Sequence, residues 1–515
     1  MTSGSQRQAV ASPEPVTDEA FHIESHGVDY IPLSERWAKP RDVGWMWAGA
    51  SVQVEYFIYG AILMTFGFTF WQALSVIVIG NLSYFLLGLM SLQGPQSGTT
   101  TFGTNRAAFG PNGSRGIAFF NWVTQVGFEI EGILLIAGAG LVLAIKAGFS
   151  PGTPAKAIFV VLAVVIQGFL PVLGHATMVK VLRALTIPFI VIFAIMLGFA
   201  LPHATTTGVA HPADWQTYME GLAFTIILSG LGWTENGNDY SRYCKPEASK
   251  SSIILWVFVC TAVPEVLVMT LGAGVGTFLS KVGTTANAFL PFAHQSAIPA
   301  WFVLAFLIFS ILQIFSINSL DLYSSGVTLQ AVGVDVKRYV AVLIDCVIVL
   351  GFSLFAMFST SFSTFLKDFV DVAIVWITPW FAIFFVDWLL RKRRYVPTHL
   401  QRTGRDSLYW RNGGVHWPAV VAQVVGMFAT ISGLAATFHL PTWLNEVTYA
   451  TRDSFGFGAD FSVYMGIVVG GGLYFILARS KVRSEALEQD RILASGPEPA
   501  DRSAAAFTPA ASALD

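Results

Sequence analysis

The sequence predicts an all-α integral membrane protein with twelve transmembrane helices. Three observations carry that expectation. Of 515 residues, 54% are hydrophobic and only 12% are charged, against about 25% charged in soluble domains. The charged residues are clustered, and the apolar stretches between the clusters are long enough to cross a bilayer. Two of those stretches, five helices apart, are interrupted by glycine and polar residues.

The apolar stretches fall near 43–69, 72–95, 117–145, 157–174, 183–201, 217–236, 252–279, 300–326, 339–360, 368–390, 416–437 and 459–478. The third, sixth and eighth carry polar residues that a lipid-facing helix avoids. Residues 1–42, polar, acidic and proline-containing, read as a flexible cytoplasmic tail without a cleavable signal peptide. Residues 43–480 then form the twelve-helix domain, and 481–515, charged and then Ala/Ser/Pro-rich, read as a disordered cytoplasmic tail. A net charge of −2 gives no basis for a nucleic-acid partner. Cys244, Cys260 and Cys346 make no disulfide framework and match no zinc spacing.

Lys and Arg set the orientation, since they concentrate in cytoplasmic loops. With both termini cytoplasmic, the inside loops hold Arg36, Lys39, Arg41, Arg106, Arg115, Lys180, Arg183, Arg242, Lys245, Lys250, Lys337, Arg338 and the run Arg391–Arg394. The outside keeps only Lys146, Lys156, Lys281, Lys367 and Arg452. A miscounted span would scramble this alternation. The expected location is therefore the cell membrane, crossed many times.

A spanning helix satisfies its backbone internally, so interruptions survive only where they line a cavity. The first span reads Trp45-Met-Trp-Ala-Gly49-Ala-Ser51-Val-Gln53-Val-Glu55. The sixth reads Ser229-Gly230-Leu-Gly232-Trp233-Thr-Glu235-Asn236-Gly237-Asn238. Glycines also permit close helix packing, but matched breaks five helices apart point to an inverted repeat of helices 1–5 and 6–10.

Buried polar side chains need an account. The third span carries Asn121, Thr124, Gln125, Glu129 and Glu131 beside Trp122 and Phe128; the eighth carries Gln313, Ser316, Asn318, Asp321 and Tyr323. Gln125, Phe128, Glu129 and Gly132 share one helical face. Amides and carboxylates beside aromatic rings suit a flat heterocycle, with rings on its faces and amides reading its edge. Asn121 and Thr124 read instead as ordinary interhelical hydrogen bonds, worth about 0.6 kcal/mol each.

Gly94-Pro95-Gln96-Ser97-Gly98, followed by Asn105-Arg106-Ala-Ala-Phe-Gly110, resembles the loop after helix 2 of the nucleobase–cation symporter family. Asp239-Tyr240-Ser241-Arg242-Tyr243 resembles that family's motif after helix 6. Asn318, Leu322-Tyr323-Ser324 and Leu329-Gln330 are similar to its purine–cytosine permease branch. The resemblance spans roughly residues 30–480. It implies a five-plus-five inverted repeat with discontinuous helices 1 and 6, two additional C-terminal helices, and a substrate between helices 1, 3, 6 and 8.

Carried over by position, the resemblance puts the stacking aromatic at Phe128 and an amide one turn earlier at Gln125. It puts a polar helix-1 position at Gln53, helix-6 contacts at Ser229, Gly230 and Leu231, and amide readout from helix 8 at Asn318. Leu231 stands where hydantoin-type members often carry a second stacking Trp, and Trp233 follows two residues on. A sodium site in this family uses helix-1 carbonyls, here around Gly49 and Val52, and hydroxyls of two adjacent helix-8 residues. Those fall at Ser316 and Ile317, and isoleucine has no hydroxyl; Gln313 is a compensating donor. Surplus carboxylates stand at Glu55, Glu129, Glu131, Glu235, Glu265 and Asp321. A buried carboxylate is a natural proton carrier, so proton coupling is favoured over sodium, with Glu131 and Glu55 the candidates.

Asp239 and Arg242 read equally as a gate pair or as a cap with a positive-inside anchor. The run 391–394 reads as lipid headgroup contact. No histidine cluster, metal set or phosphate loop is evident, so neither an enzyme nor an ATP-driven pump is expected. The expected function is a secondary-active permease importing a nucleobase, cytosine or a purine, with no cofactor beyond the coupling cation. Its expected partners are that small molecule and membrane lipid, with no obligate protein partner. The alternative cargoes are allantoin, a hydantoin or a thiamine-type pyrimidine; a membrane-embedded enzyme or a channel is the rival of another class.

Overall fold

The computed structural model describes residues 30–168, 175–206, 212–279, 281–334, 338–434, 442–455 and 458–495. Over its described residues, each of the twelve expected stretches lies on a helix or on a broken helix; residues 169–174 and 435–437 of two of them fall outside the description. These are α1 (Pro40–Ser51 with Val54–Leu63), α2 (Phe70–Asn81 with Tyr84–Met90), α3 (Gly113–Lys146) and α4 (Thr153–Gln167). Next come α5 (His175–Ala200), α6 (Trp215–Ile226 continuing through Ile227–Leu231 and Gly232–Asn236), α7 (Lys250–Gly276) and α8 (Ala300–Val332). The last four are α9 (Arg338–Ser359), α10 (Phe362–Leu390), α11 (Trp417–Gly433) and α12 (Ser462–Ala494). Among the described residues seven helices are long and apolar enough to cross a bilayer, accompanied by four shorter apolar ones. The chain is a multi-pass membrane protein. α6 is not among these helices: it carries Gln216, Thr217 and Glu220 in its first half and the buried Thr234, Glu235 and Asn236 in its broken stretch.

The two expected interruptions are present. α1 breaks at Val52 (φ −89, ψ 77), which leaves the helical region, and at Gln53, whose backbone turns extended (φ −139, ψ 157). α6 breaks at Ser229, where φ −98 and ψ −134 leave the helical region inside a widened turn. Gly230 lies against the backbone of Ser83 and Tyr84 where α6 crosses α2, and a Cβ there would collide with both. The core forms where α3 packs on α8 and α7 runs along both halves of α1. α12 lies against α10 and α11, apart from that centre.

Of the two expected tails, residues 1–29 and 496–515 lie outside the described residues, and the described parts are structured. Residues 30–42 are packed: Ile31 N–H donates to Gly98 O at 2.8 Å and Ala38 N–H to Tyr243 O at 3.0 Å. The buried Arg36 guanidinium donates to Pro95 O at 2.6 Å and to Ile31 O at 2.9 Å. Gly98, at φ +66, makes the left-handed stop that lets its N–H return to Gly94 O. At the other end α12 continues to Ala494 rather than dissolving at 481. Its extension buries Val482, Glu485, Ala486 and Gln489, one helical face.

That face explains a second difference. Arg391, expected at the lipid headgroups, is fully buried. Its guanidinium donates to Asp387 at 2.7 Å, to Glu485 at 3.1 Å and to Ala107 O at 3.0 Å. Arg411 donates to the same Glu485, and Lys392 pairs with Asp490 at 2.7 Å. Burial opposes the charge of Glu485, but the hydrogen bonds and charge of Arg411, with Arg391, outweigh it and hold the carboxyl at about 2.

Candidate functional site

A narrow cleft, partly open to solvent, lies between α3, α6 and α8. Its walls are Gln125 and Phe128 from α3, Ile227, Leu228, Gly232, Trp233, Glu235 and Asn236 from α6, and Asp321 from α8.

Three of the eight sequence-expected binding residues, Gln125, Phe128 and Trp233, come together here. Gln125 Nε2 donates to Glu235 Oε1 at 2.6 Å, so its nitrogen is paired. Gln125 Oε1 and Glu235 Oε2 are buried without partners and remain available to a ligand. The Phe128 ring meets Phe369 of α10 edge-on, with centroids 4.9 Å apart. Trp233 donates through Nε1 to Tyr56 Oη at 2.7 Å and stands edge-on to Trp47 at 5.5 Å. A polar edge and two fixed rings are thus presented to one space.

The other five lie elsewhere. Ser229 donates to the Glu265 carboxylate on α7, Gly230 rests on α2, and Leu231 is fully buried in the core. The widened turn at Ser229 rotates these three away and brings their neighbours, Ile227 and Leu228 before and Gly232 after, to the cleft. Asn318 sits where α8 meets α3 and α4: its Nδ2 donates to Glu129 O at 3.1 Å and to Gln167 Oε1, against Gly132. Gln53 is buried at the α1 break, outside the cleft lining, with its Oε1 unpartnered. Six cleft residues carried no substrate role in the sequence reading: Ile227, Leu228, Gly232 and Asn236, with Glu235 and Asp321, which counted there only as surplus carboxylates inside spans.

Gln313 clamps the break of α1. Its Oε1 accepts from Val54 N–H at 2.7 Å and its Nε2 donates to Val52 O. One side-chain amide thereby satisfies a donor and an acceptor freed by the break. Ser316 donates back to Leu312 O at 2.8 Å, and Ile317 is buried in the apolar cluster that includes Trp47. Gly49, on the first half of α1, faces Thr186. Glu131 is buried facing Tyr59, and Glu55 opens the second half of α1, within electrostatic reach of Glu131 and Asp321. Among the described residues no group of three His, Cys, Asp or Glu is placed to hold a metal ion.

The neighbouring polar groups are structural. Asn121 donates to Thr328 at 3.2 Å, and Thr124 accepts from Trp376 at 2.8 Å. Asp239 accepts from Thr101 N–H at 3.0 Å, capping the short helix Thr101–Thr104. Arg242 lies over Tyr243 and within electrostatic reach of Asp239, so Asp239 both caps that helix and faces a cation.

Breaks in the first and sixth helices of a helical membrane protein are the arrangement found in secondary transporters. Residues 30–452 match the family described as permeases for cytosine/purines, uracil, thiamine and allantoin, and the chain belongs to that family. It is a transporter rather than an enzyme. The putative purine-cytosine permease YxlA of Bacillus subtilis (strain 168) is 23% identical over 480 residues, 91% of this chain and 99% of that protein. The purine-cytosine permease fcyB of Emericella nidulans is 24% identical over 480 residues, 86% of this chain and 87% of its own. Among solved structures, Mhp1, a nucleobase-cation-symport-1 family transporter with bromovinylhydantoin bound in a closed conformation, is similar. Its TM-score is 0.66 at 17% identity, covering 90% of this chain and 100% of Mhp1. Inward-facing Mhp1 gives 0.67 at 17% identity, covering 91% and 99%. Mhp1 and this chain share a fold.

Proposed function

We propose that the protein imports a nucleobase, cytosine or a purine, across the cell membrane by proton-coupled alternating access, with both termini cytoplasmic. The observation that carries this reading is the cleft itself, where the free Gln125 Oε1 and Glu235 Oε2 face the same small space as Phe128 and Trp233. A planar heterocycle with N–H groups on its edge matches both features. The purine-cytosine permeases among its relatives support the same substrate class.

Two features support a proton over sodium. The Val52 carbonyl accepts the Gln313 amide, and Ile317 offers no oxygen. The buried Glu131 and, beside the α1 break, Glu55 supply carboxylates that can take up a proton. The Lys and Arg distribution supports the orientation. The test is uptake of tritiated cytosine by cells expressing the protein, in competition with unlabelled purines, pyrimidines, allantoin and a hydantoin. Saturable uptake blocked by purines or cytosine is expected; competition by allantoin or the hydantoin alone overturns the cargo.

A further inference from the structure

We infer that Glu265, on α7, is a positioning residue that transmits its protonation state to the break in α6, a role that rests on the proton-coupled reading above. Glu265 is fully buried. Four side chains from three other helices converge on it through one continuous set of hydrogen bonds. Ser229 Oγ donates to its Oε1 and Tyr84 Oη to its Oε2. Tyr84 Oη lies 3.2 Å from Tyr56 Oη, which accepts from Trp233 Nε1 at 2.7 Å.

The chain has a direction. An indole N–H can only donate, and each phenol carries one proton. With the Tyr84 proton on Glu265, the Tyr56 proton lies on the bond to Tyr84, so every member from Trp233 to Oε2 is a committed donor. The ionised carboxylate then receives two hydroxyls and has no proton to place. A neutral carboxyl does, and the Tyr84 side is already filled. The added proton therefore resides on Oε1, and Ser229 Oγ turns from donor to acceptor.

Ser229 is the one residue of the widened turn with non-helical backbone angles. Ile227 and Leu228 precede it, Gly232 and Trp233 follow it, and all four line the cleft. A change in its hydrogen bond thus acts on the joint between the two walls that α6 contributes. The far end of the chain is Trp233 itself, so Glu265 touches the cleft from two directions without entering it. The titratable groups facing Glu265 are Tyr56 from α1 and Tyr84 from α2; Ser229 and Trp233 are its α6 neighbours. Glu55 reaches the network through its charge on Tyr56. A proton that favours one arrangement of the break shifts its population by the difference in affinity between the two arrangements.

The test uses the purified full chain in proteoliposomes, with tritiated cytosine and tritiated adenine as probes, and Glu265→Gln as a fixed neutral isostere. Exchange by Glu265→Gln is expected within about threefold of wild type, with its pH dependence flattened relative to wild type and proton-driven accumulation weakened. Infrared difference spectra of the ligand-free protein provide a second readout. A carboxyl band that titrates in wild type is expected to vanish in Glu265→Gln and to shift in Ser229→Ala. If neither base is transported, the cargo assignment falls while the infrared bands still decide the role of Glu265. Wild-type pH dependence in Glu265→Gln, or a carboxyl band unmoved by Ser229→Ala, overturns the inference.

Discussion

Gln125 on α3 and Glu235 on α6 are joined across the cleft by a 2.6 Å hydrogen bond, and each keeps one buried oxygen without a partner. The pair is therefore both a strut between two helices and an acceptor edge. A site built to bond a substrate N–H discriminates strongly against its loss. Gln125→Ala removes the edge and leaves Glu235 unpartnered, an added cost of about 1–3 kcal/mol in stability. Uptake should be abolished, with surface expression retained and a modest drop in melting temperature. Unchanged apparent affinity in this variant would reduce Gln125 to a packing amide.

Phe128 has its edge-on contact with Phe369 to fix its plane before any ligand arrives. A ring held this way offers its face at little entropic cost, and base stacking is worth about 1–3 kcal/mol. Phe128→Tyr should retain transport. Phe128→Ala should weaken binding roughly ten- to hundredfold, read from competition curves. Equal affinity in the Ala variant transfers the stacking role to Trp233, the other ring on the cleft wall.

Hydropathy and the glycine-polar interruptions made the helices and both breaks legible, because lipid imposes one rule on every spanning backbone. Gln125 and Phe128 were legible for a related reason: α3 is regular, so spacing fixes which side chains share a face. Across the α6 break that rule fails. The widened turn at Ser229 adds a rotation that no period of 3.6 contains, and it moved Ser229, Gly230 and Leu231 out of the cleft. Asn318 was misplaced by a different cause, since Gln167 and the Glu129 carbonyl compete for its amide and neither is near it in sequence. The α12 extension did carry a signal. Val482, Glu485, Ala486 and Gln489 repeat at helical spacing within an otherwise charged segment.

Glu485 makes that extension a stabilising element, because two buried guanidiniums share its carboxylate. Removing one partner of a buried ion pair costs about 3–5 kcal/mol. Glu485→Gln keeps the shape and deletes the charge, so its melting temperature in detergent should fall by several degrees. The pH dependence has a definite sign. A carboxyl held at about 2 when folded, against an ordinary 4.5, contributes fully above the ordinary value. That contribution declines as pH falls from there through about 2. The melting-temperature gap between wild type and Glu485→Gln should accordingly be constant near neutrality and close in acid. A gap that widens in acid would place the charge of Glu485 elsewhere in the balance.

The proposed proton coupling rests on what surrounds the α1 break. A sodium ion there needs several oxygen donors, and an incompletely satisfied cation in a low-dielectric site is costly. The Gln313 amide already occupies the Val52 carbonyl, Ser316 donates back into its own helix, and Ile317 contributes only hydrocarbon. A proton requires one carboxylate within reach of the cleft. Glu131 is buried on α3, and Glu55 lies within electrostatic reach of both Glu131 and the cleft residue Asp321. In sodium-free proteoliposomes an inward proton gradient should therefore drive accumulation, and a protonophore should collapse it. Replacing Glu131 or Glu55 with Gln should, in at least one case, leave exchange intact and remove concentrative uptake. Gln313→Leu should slow exchange whichever ion is present, because it strips the break of its clamp. Accumulation driven by a sodium gradient at constant pH, and absent when choline replaces sodium, would assign the coupling to sodium instead.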